Sequence, residues 1–264
     1  MATLTVPRFD PADQPFPVDR LNAVLEAVDA DDRTGALVAA QNVNPVARLR
    51  YNDHGPKHIE TVLQRAIELY GHLKAADVAF NGAADHGLDP ADEPVIIALG
   101  AILHDVGHVV HRHHHSHYSV ALAWGVLDDL LTTVYDREVA TTIAGEVLHA
   151  IVSHHVEISP LTREAGVVRV ADALDMERGR SRKPYERGGR GINTLSSQAI
   201  QTVSVRQGEE HPVDIEIEMT SAAGIYQVDE LLRSKVEGSR IEQFVRIVAI
   251  RVDGDDRLVD RIEF

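Results

Sequence analysis

Fifteen histidines stand in this chain, and most of them fall in three short stretches. The first is Asp53-His54-Gly55-Pro56-Lys57-His58. The second opens with His104-Asp105 and runs on through His108, His111, His113, His114, His115 and His117. The third holds His149, His154 and His155, and two further carboxylates, Asp172 and Asp175, follow downstream. Imidazole nitrogen and carboxylate oxygen are what first-row divalent metals take where no thiolate is offered. The chain has no cysteine, which excludes disulfides, cysteine-based zinc sites, Fe–S clusters and thiol nucleophiles. Metal-assisted chemistry is what these residue types point to.

The His104-Asp105 doublet is the sharpest signal. An apolar run, Val95 to Leu103 (VIIALGAIL), leads straight into it. A carboxylate at the end of a buried helix is costly unless something pairs with it. The negative end of the helix dipole makes a lone aspartate there worse still. A bound cation removes both penalties. A doublet cannot complete a site, so further donors must come from other helices. His58 sits in the first turns of an amphipathic helix, with His54 one turn earlier on the same face if that helix includes it. Asp172 is a second carboxylate in an otherwise apolar segment, VVRVADAL.

The elements that must position these groups are mostly helical. Leu21, Val24, Leu25 and Val28 recur at helical spacing, as do Ile59, Val62, Leu63 and Ala66. Ala121 to His155 has room for two or three helices, and Pro160 and Thr162 break the run before a helix over Glu164 to Met176. Near Gly188 the period changes. Val213, Ile215, Ile217 and Met219 alternate with Asp214, Glu216 and Glu218, which predicts a half-buried strand. A helix over Ala223 to Val236, ended by Gly238, and an apolar strand over Phe244 to Val252 follow. Asp253-Gly254 is a hairpin signal into Arg257 to Phe264. The expected fold is mainly α: a helical domain over 19–188, then a small α+β unit ordered ββαββ over 189–264. Residues 1–18, rich in Pro and Asp, are expected to form a flexible N-terminal arm.

The bulk properties suit that reading. With 264 residues and 44% apolar content the chain can bury a substantial core. The formal net charge of -15 argues against an extended nucleic acid as partner. It does not argue against a small nucleotide in a metal-lined pocket, where divalent ions supply local positive charge. The N-terminus has no basic start followed by an apolar run, and Pro94 to Leu103 is about half of the roughly 20 residues a span needs. A cytoplasmic protein with no membrane partner is expected. One local basic run, Arg178, Arg180, Arg182 and Lys183 with Arg187 and Arg190, stands out in the acidic chain. Guanidinium forks suit phosphate oxygens, so the first four are candidate substrate-binding residues.

His58-Ile59-Glu60-Thr61-Val62, His104-Asp105 and the distant Asp172 together resemble the H…HD…D signature of the HD-domain metal-dependent phosphohydrolases, over about residues 45–180. The stretch MTSAAGIYQVDELLRSK, Met219 to Lys235, is similar to the tail of a prokaryotic subgroup of that family. The resemblance implies an HD-type helical domain with a first metal on His58, His104, Asp105 and Asp172. Two-metal members add later histidines. His115 and His154 stand where those are expected, with His155 as the alternate, and Asp105 would bridge. One or two divalent ions are implied, manganese first, with iron, cobalt, nickel, zinc or magnesium also suited. The implied activity is hydrolysis of a phosphate mono- or diester, a nucleotide first among small-molecule substrates, through a metal-activated water. Many members carry Glu or Lys three residues after the aspartate. This chain has His108 there, so the catalytic set becomes Asp105 with His108 or His54 to protonate the leaving oxygen. The strands of the α+β unit could pair between subunits, giving a homo-oligomer.

Two other classes draw on the same residues. A di-iron oxygenase would use about six protein ligands of this kind, and a non-catalytic nucleotide sensor would bind without turnover. Plainer readings stand beside each residue: a core His–Asp pair, a helix cap at His58 or Asp172, a solvated loop over His111 to His117 with His115 the first to matter, and an interdomain linker for the arginine run. Asp175 is expected to pair with Arg178 or a neighbour.

Overall fold

The computed structural model describes residues 4–177, 196, 198–251 and 261–263. The helical spacing becomes α1 (Asp19–Ala30), α2 (Asp32–Ala40), α3 (Pro56–Ala75), α4 (Asn81–His86), α5 (Glu93–Leu103), α6 (His115–Leu131), α7 (Arg137–Ser153) and α8 (Arg163–Leu174). Helix α5 is apolar on every side because it is surrounded: all of its residues are buried, with α3, α7 and α8 packed around it. Caps set where its neighbours begin. Asp136 accepts from Val139 N at 3.0 Å and Thr162 from Ala165 N at 3.3 Å, starting α7 and α8. Pro56 occupies the first turn of α3, where its missing N–H costs nothing.

The period-two segment becomes a small sheet: β1 (Ile200–Gln207), β2 (Val213–Met219), β3 (Val245–Arg251) and β4 (Arg261–Glu263), in the order β1-β2-β3-β4. β1 and β2 form an antiparallel pair. β2 and β3 run parallel, so the chain must cross over between them. The crossover is α9, a wide π turn over Gln227–Arg233 that continues into an α turn over Ser234–Val236. Val213, Ile215, Ile217 and Met219 are buried, as their alternation predicts. The molecule is therefore mainly α with a C-terminal ββαββ unit. The boundary expected at 188 and the Asp253-Gly254 hairpin lie outside the described residues.

The N-terminal segment differs from the expected flexible arm. Val6 and Phe16 are buried, and Val6 N donates to Asp29 Oδ1 at 3.1 Å. The Phe9 backbone donates to Asn22 Oδ1 at 3.0 Å and accepts from Asn22 Nδ2 at 2.9 Å, and the Phe16 ring meets Tyr70 edge-on with centroids 4.6 Å apart. Isolated apolar anchors between prolines hold this stretch on α1 and α3. Such anchors have neither helical nor strand periodicity, so pattern reading passes over them. Among the described residues, no helix is long and apolar enough to cross a membrane.

Candidate metal centre

Each donor reaches the site from the end of an element. His104 follows the last residue of α5, and Asp105 comes next; both are buried. His58 lies in the first turn of α3, His115 opens α6, His154 follows the end of α7, and Asp172 sits in the last turn of α8. Gly107 lets α6 close on the doublet. A Cβ there would lie 2.0 Å from His115 O and 2.5 Å from Ser119 N, while Gly107 N donates to Ser119 Oγ at 2.8 Å. Only a residue without a side chain permits that approach. His54 lies before α3, not on it. Asn42 fixes this loop by accepting from His54 N at 2.9 Å. Asn44, in a π turn over Val43–Arg48, donates to His108 O at 2.7 Å.

Asp105 is the hub. Its Oδ2 lies 2.6 Å from His54 Nδ1 and 3.4 Å from both His58 Nε2 and His104 Nε2. Its Oδ1 lies 3.3 Å from His115 Nε2, 3.5 Å from His108 Nε2 and 3.7 Å from His154 Nε2. Asp172 Oδ1 joins the first set, 3.4 Å from His58 Nε2 and 3.6 Å from His104 Nε2. Four donor groups result: His54–Asp105–His108, His58–His104–Asp105, His104–His154–Asp172 and Asp105–His115–His154.

The tautomers say what these groups lack. His104 Nδ1 donates to Ala101 O at 2.8 Å, His154 Nδ1 to Ile151 O at 2.6 Å and His115 Nδ1 to Arg112 O at 2.9 Å. His58 Nδ1 donates to Asp175 Oδ2 at 2.6 Å. With Nδ1 committed, each neutral ring presents a lone pair at Nε2. Those lone pairs face each other, His58 to His104 at 3.3 Å and His115 to His154 at 3.1 Å. Two lone pairs at that range repel unless a proton or a cation lies between them. Donors about 2.0–2.1 Å from one ion stand about 3 Å apart, so the spacing suits a shared divalent metal.

Charge tells the same story. Burial pushes His104 down, Asp105 and Asp172 push it up, and the balance lies at about 9, so without a metal this ring holds a proton in its place. Burial favours a neutral Asp105, yet His104, His54 and His108 hold its carboxyl well below the usual range. Burial, with His104 and His115 adding, keeps His154 well below the usual histidine value and its lone pair available. His108 is lowered by burial too. It is 1% exposed, stacks on His115 with ring centroids 4.2 Å apart, and among the described residues its nitrogens have no polar neighbour nearer than Asp105 Oδ1, 3.5 Å from Nε2.

The structure thus brings together His58, His104, Asp105, Asp172, His115 and His154, with His54 and His108 against Asp105. His155 is not brought in. Its side chain is 40% exposed, its Nδ1 is 3.9 Å from Glu157, and it belongs to none of the donor groups. Successive residues at a helix end point about 100° apart, so turning His154 inward turns its neighbour away. His111, His113, His114 and His117 are exposed. Arg178, Arg180, Arg182 and Lys183 lie outside the described residues. Sequence reasoning missed two groups. Asp175, expected to pair with Arg178 or a neighbour, accepts from His58 Nδ1 and so orients a donor ring; Arg178 lies outside the described residues, and a spacing of three from Asp172 was the available signal for the His58 contact. Lys235 pairs with Asp172 Oδ2 from 63 residues away, and no local pattern announces it.

A family model described as HD domain matches residues 57–177. Over 239 residues the chain is 36% identical to the uncharacterized protein MJ1020 of Methanocaldococcus jannaschii, covering 90% of this chain and 92% of that one. A match of that length cannot fit within the helical part, so the likeness runs into the α+β unit. His58, the His104-Asp105 doublet and Asp172 all fall inside the matched segment, and the chain belongs to the HD-domain family.

Proposed function

We propose that this protein is a metal-dependent phosphohydrolase that cleaves phosphate mono- or diesters, with nucleotides as the substrate class. The observation that carries the reading is Asp105, whose two oxygens each face a pair of Nε2 lone pairs. His58, His104 and Asp172 would hold one divalent ion with Oδ2, and His115 and His154 a second with Oδ1. Manganese is the first ion to try by the family resemblance, and the imidazole-rich donor set suits iron, nickel or zinc as well. When bound, such ions acidify a water and polarise a phosphoryl oxygen. His54 donates to Asp105 Oδ2 and fixes how that carboxylate is turned. His108 is buried, and burial lowers its pKa, while its Nε2 faces Asp105 Oδ1 at 3.5 Å. It is proposed to hold or move a proton at one of the reacting oxygens. The basic run Arg178, Arg180, Arg182 and Lys183 is proposed to meet the substrate phosphate.

The test is to strip the protein with a chelator and reload it with manganese. Metal content is then measured beside hydrolysis of bis-p-nitrophenyl phosphate, p-nitrophenyl phosphate and a nucleotide panel. One or two ions per chain with metal-dependent ester cleavage is the expected result. No bound metal under any loading condition would overturn the reading. A second reading rests on the same six donors, which suit di-iron oxygen chemistry; bound iron with oxygen uptake and no ester cleavage would establish it instead.

A further inference from the structure

The stretch Met219 to Lys235 has no role in the site as described so far, yet it ends against a proposed metal ligand. The Lys235 ammonium pairs with Asp172 Oδ2, while Asp172 Oδ1 faces His58 and His104. Among the described residues, Lys235 is the lysine or arginine that forms an ion pair with a carboxylate of the donor groups. Its charge also bears on His154 and His155, which puts it beside the second half of the cluster as well. The side chain is 16% exposed, so part of this lysine stays open to solvent beside the cluster.

This position is built. One face of α8 carries Gly166, Arg169 and Asp172, and each grips the same turn of the C-terminal unit. A Cβ at Gly166 would lie 1.8 Å from Ser239 O. The buried Arg169 donates to Lys235 O at 3.1 Å and to Ser234 O at 3.2 Å, and Asp172 takes the Lys235 side chain. The backbone and the head group of one lysine are thus both held by one helix face. An ordered lysine loses little further freedom when it meets a ligand.

Charge then says what the lysine is for. Asp105 and Asp172 bring two negative charges, whereas two divalent ions would bring four positive ones, so a loaded centre already has a positive surplus. A neighbouring ammonium adds to that surplus and is unfavourable there unless an anion arrives. Asp172 occupies one of the three donors of the ammonium, leaving capacity for phosphoryl oxygen. We infer that Lys235 is a substrate-phosphate ligand, and that the α+β unit completes the active site by supplying it. This inference rests on the phosphohydrolase reading.

The experiment uses the full chain loaded with manganese, with Lys235→Gln and Lys235→Arg beside the wild type. Metal content is measured first. Inorganic phosphate is then titrated calorimetrically, and kcat and KM are read on whichever p-nitrophenyl ester the wild type cleaves. The expected result is an unchanged metal content in Lys235→Gln. Phosphate binding should be about tenfold or more weaker, with a matching rise in KM, and Lys235→Arg should restore most of both. Unchanged phosphate affinity and KM in Lys235→Gln would overturn the inference. So would a loss of metal with phosphate affinity per loaded site preserved, which would make Lys235 a positioning residue for Asp172 alone. A wild type that binds metal but neither binds phosphate nor cleaves an ester would bring down the phosphohydrolase reading itself. That outcome is distinct from a wild type that cleaves while Lys235→Gln cleaves equally well.

Discussion

The two oxygens of Asp105 look into differently built halves of one cluster. On the Oδ2 side stand His58 and His104, with side chains 1% and 0% exposed, and Asp172. Asp175 backs His58 and Lys235 backs Asp172. On the Oδ1 side stand His115 and His154, whose Nδ1 atoms are held by backbone carbonyls, and the His115 side chain is 12% exposed. No second carboxylate joins that group among the described residues. A divalent ion on the first side meets two carboxylates, whereas one between His115 and His154 meets the shared Asp105, with Asp172 reaching His154 only in the group it forms with His104. The attraction on a cation grows with the number of carboxylate charges that face it. The first half should therefore hold its ion tightly, and the second should exchange its ion more readily.

The largest expected effect removes what the halves share. Asp105→Ala should empty both positions and lower ester hydrolysis by at least about a thousandfold, read by elemental analysis and initial rates on the same sample. Retained metal with full activity would show that the cluster is structural. The next pair of variants separates the halves. His58→Ala should abolish the tight ion, whereas His154→Ala should keep about one ion per chain at nearly the wild-type affinity. Equal losses in the two variants would break the comparison, because they would mean that the ions bind as one unit.

How much of this was legible in the sequence follows the same division. His104-Asp105 announced itself because a carboxylate after VIIALGAIL violates the local rule for a buried helix, and His58 and Asp172 did so as polar residues on apolar faces. The ββαββ order was readable because Val213 to Met219 alternate strictly and are buried accordingly. The choice between His154 and His155 was not readable: it turns on the direction of one residue past the end of α7, and boundary rules do not resolve single residues. The contact of Asp175 with His58 was not readable because the two lie 117 residues apart. Lys235 was beyond reach for the same reason. It depends on how two units dock, through Gly166 and Arg169, and no periodicity encodes docking. The packed N-terminal segment escaped because Val6 and Phe16 act as single anchors.

Asp175 offers a finer test of the Oδ2 half. Asp175→Asn keeps the size of the side chain but replaces a carboxylate acceptor for His58 Nδ1–H with a weaker neutral one. Changes to such orienting partners commonly cost about 10–100-fold in metal affinity. The expected result is a loss of that size for the tight ion alone, with the weaker ion unmoved, measured by competition against a chelating dye. A loss shared by both ions would show that Asp175 acts through the whole cluster rather than through His58.

The smallest expected effect lies at His155, and it bounds the Oδ1 half from outside. The ring stands 5.6 Å from His115 and 6.4 Å from His154 by centroids, and its side chain is partly open to solvent. If His115 and His154 are the histidines that hold the weaker ion, His155→Ala should leave both metal stoichiometry and kcat within about twofold of wild type, since exposed substitutions away from a site change little. A loss of the weaker ion in His155→Ala would mean that the α7 end turns on loading and offers its second imidazole. The Oδ1 half would then hold one more donor than its geometry shows here, and its expected looseness would no longer follow.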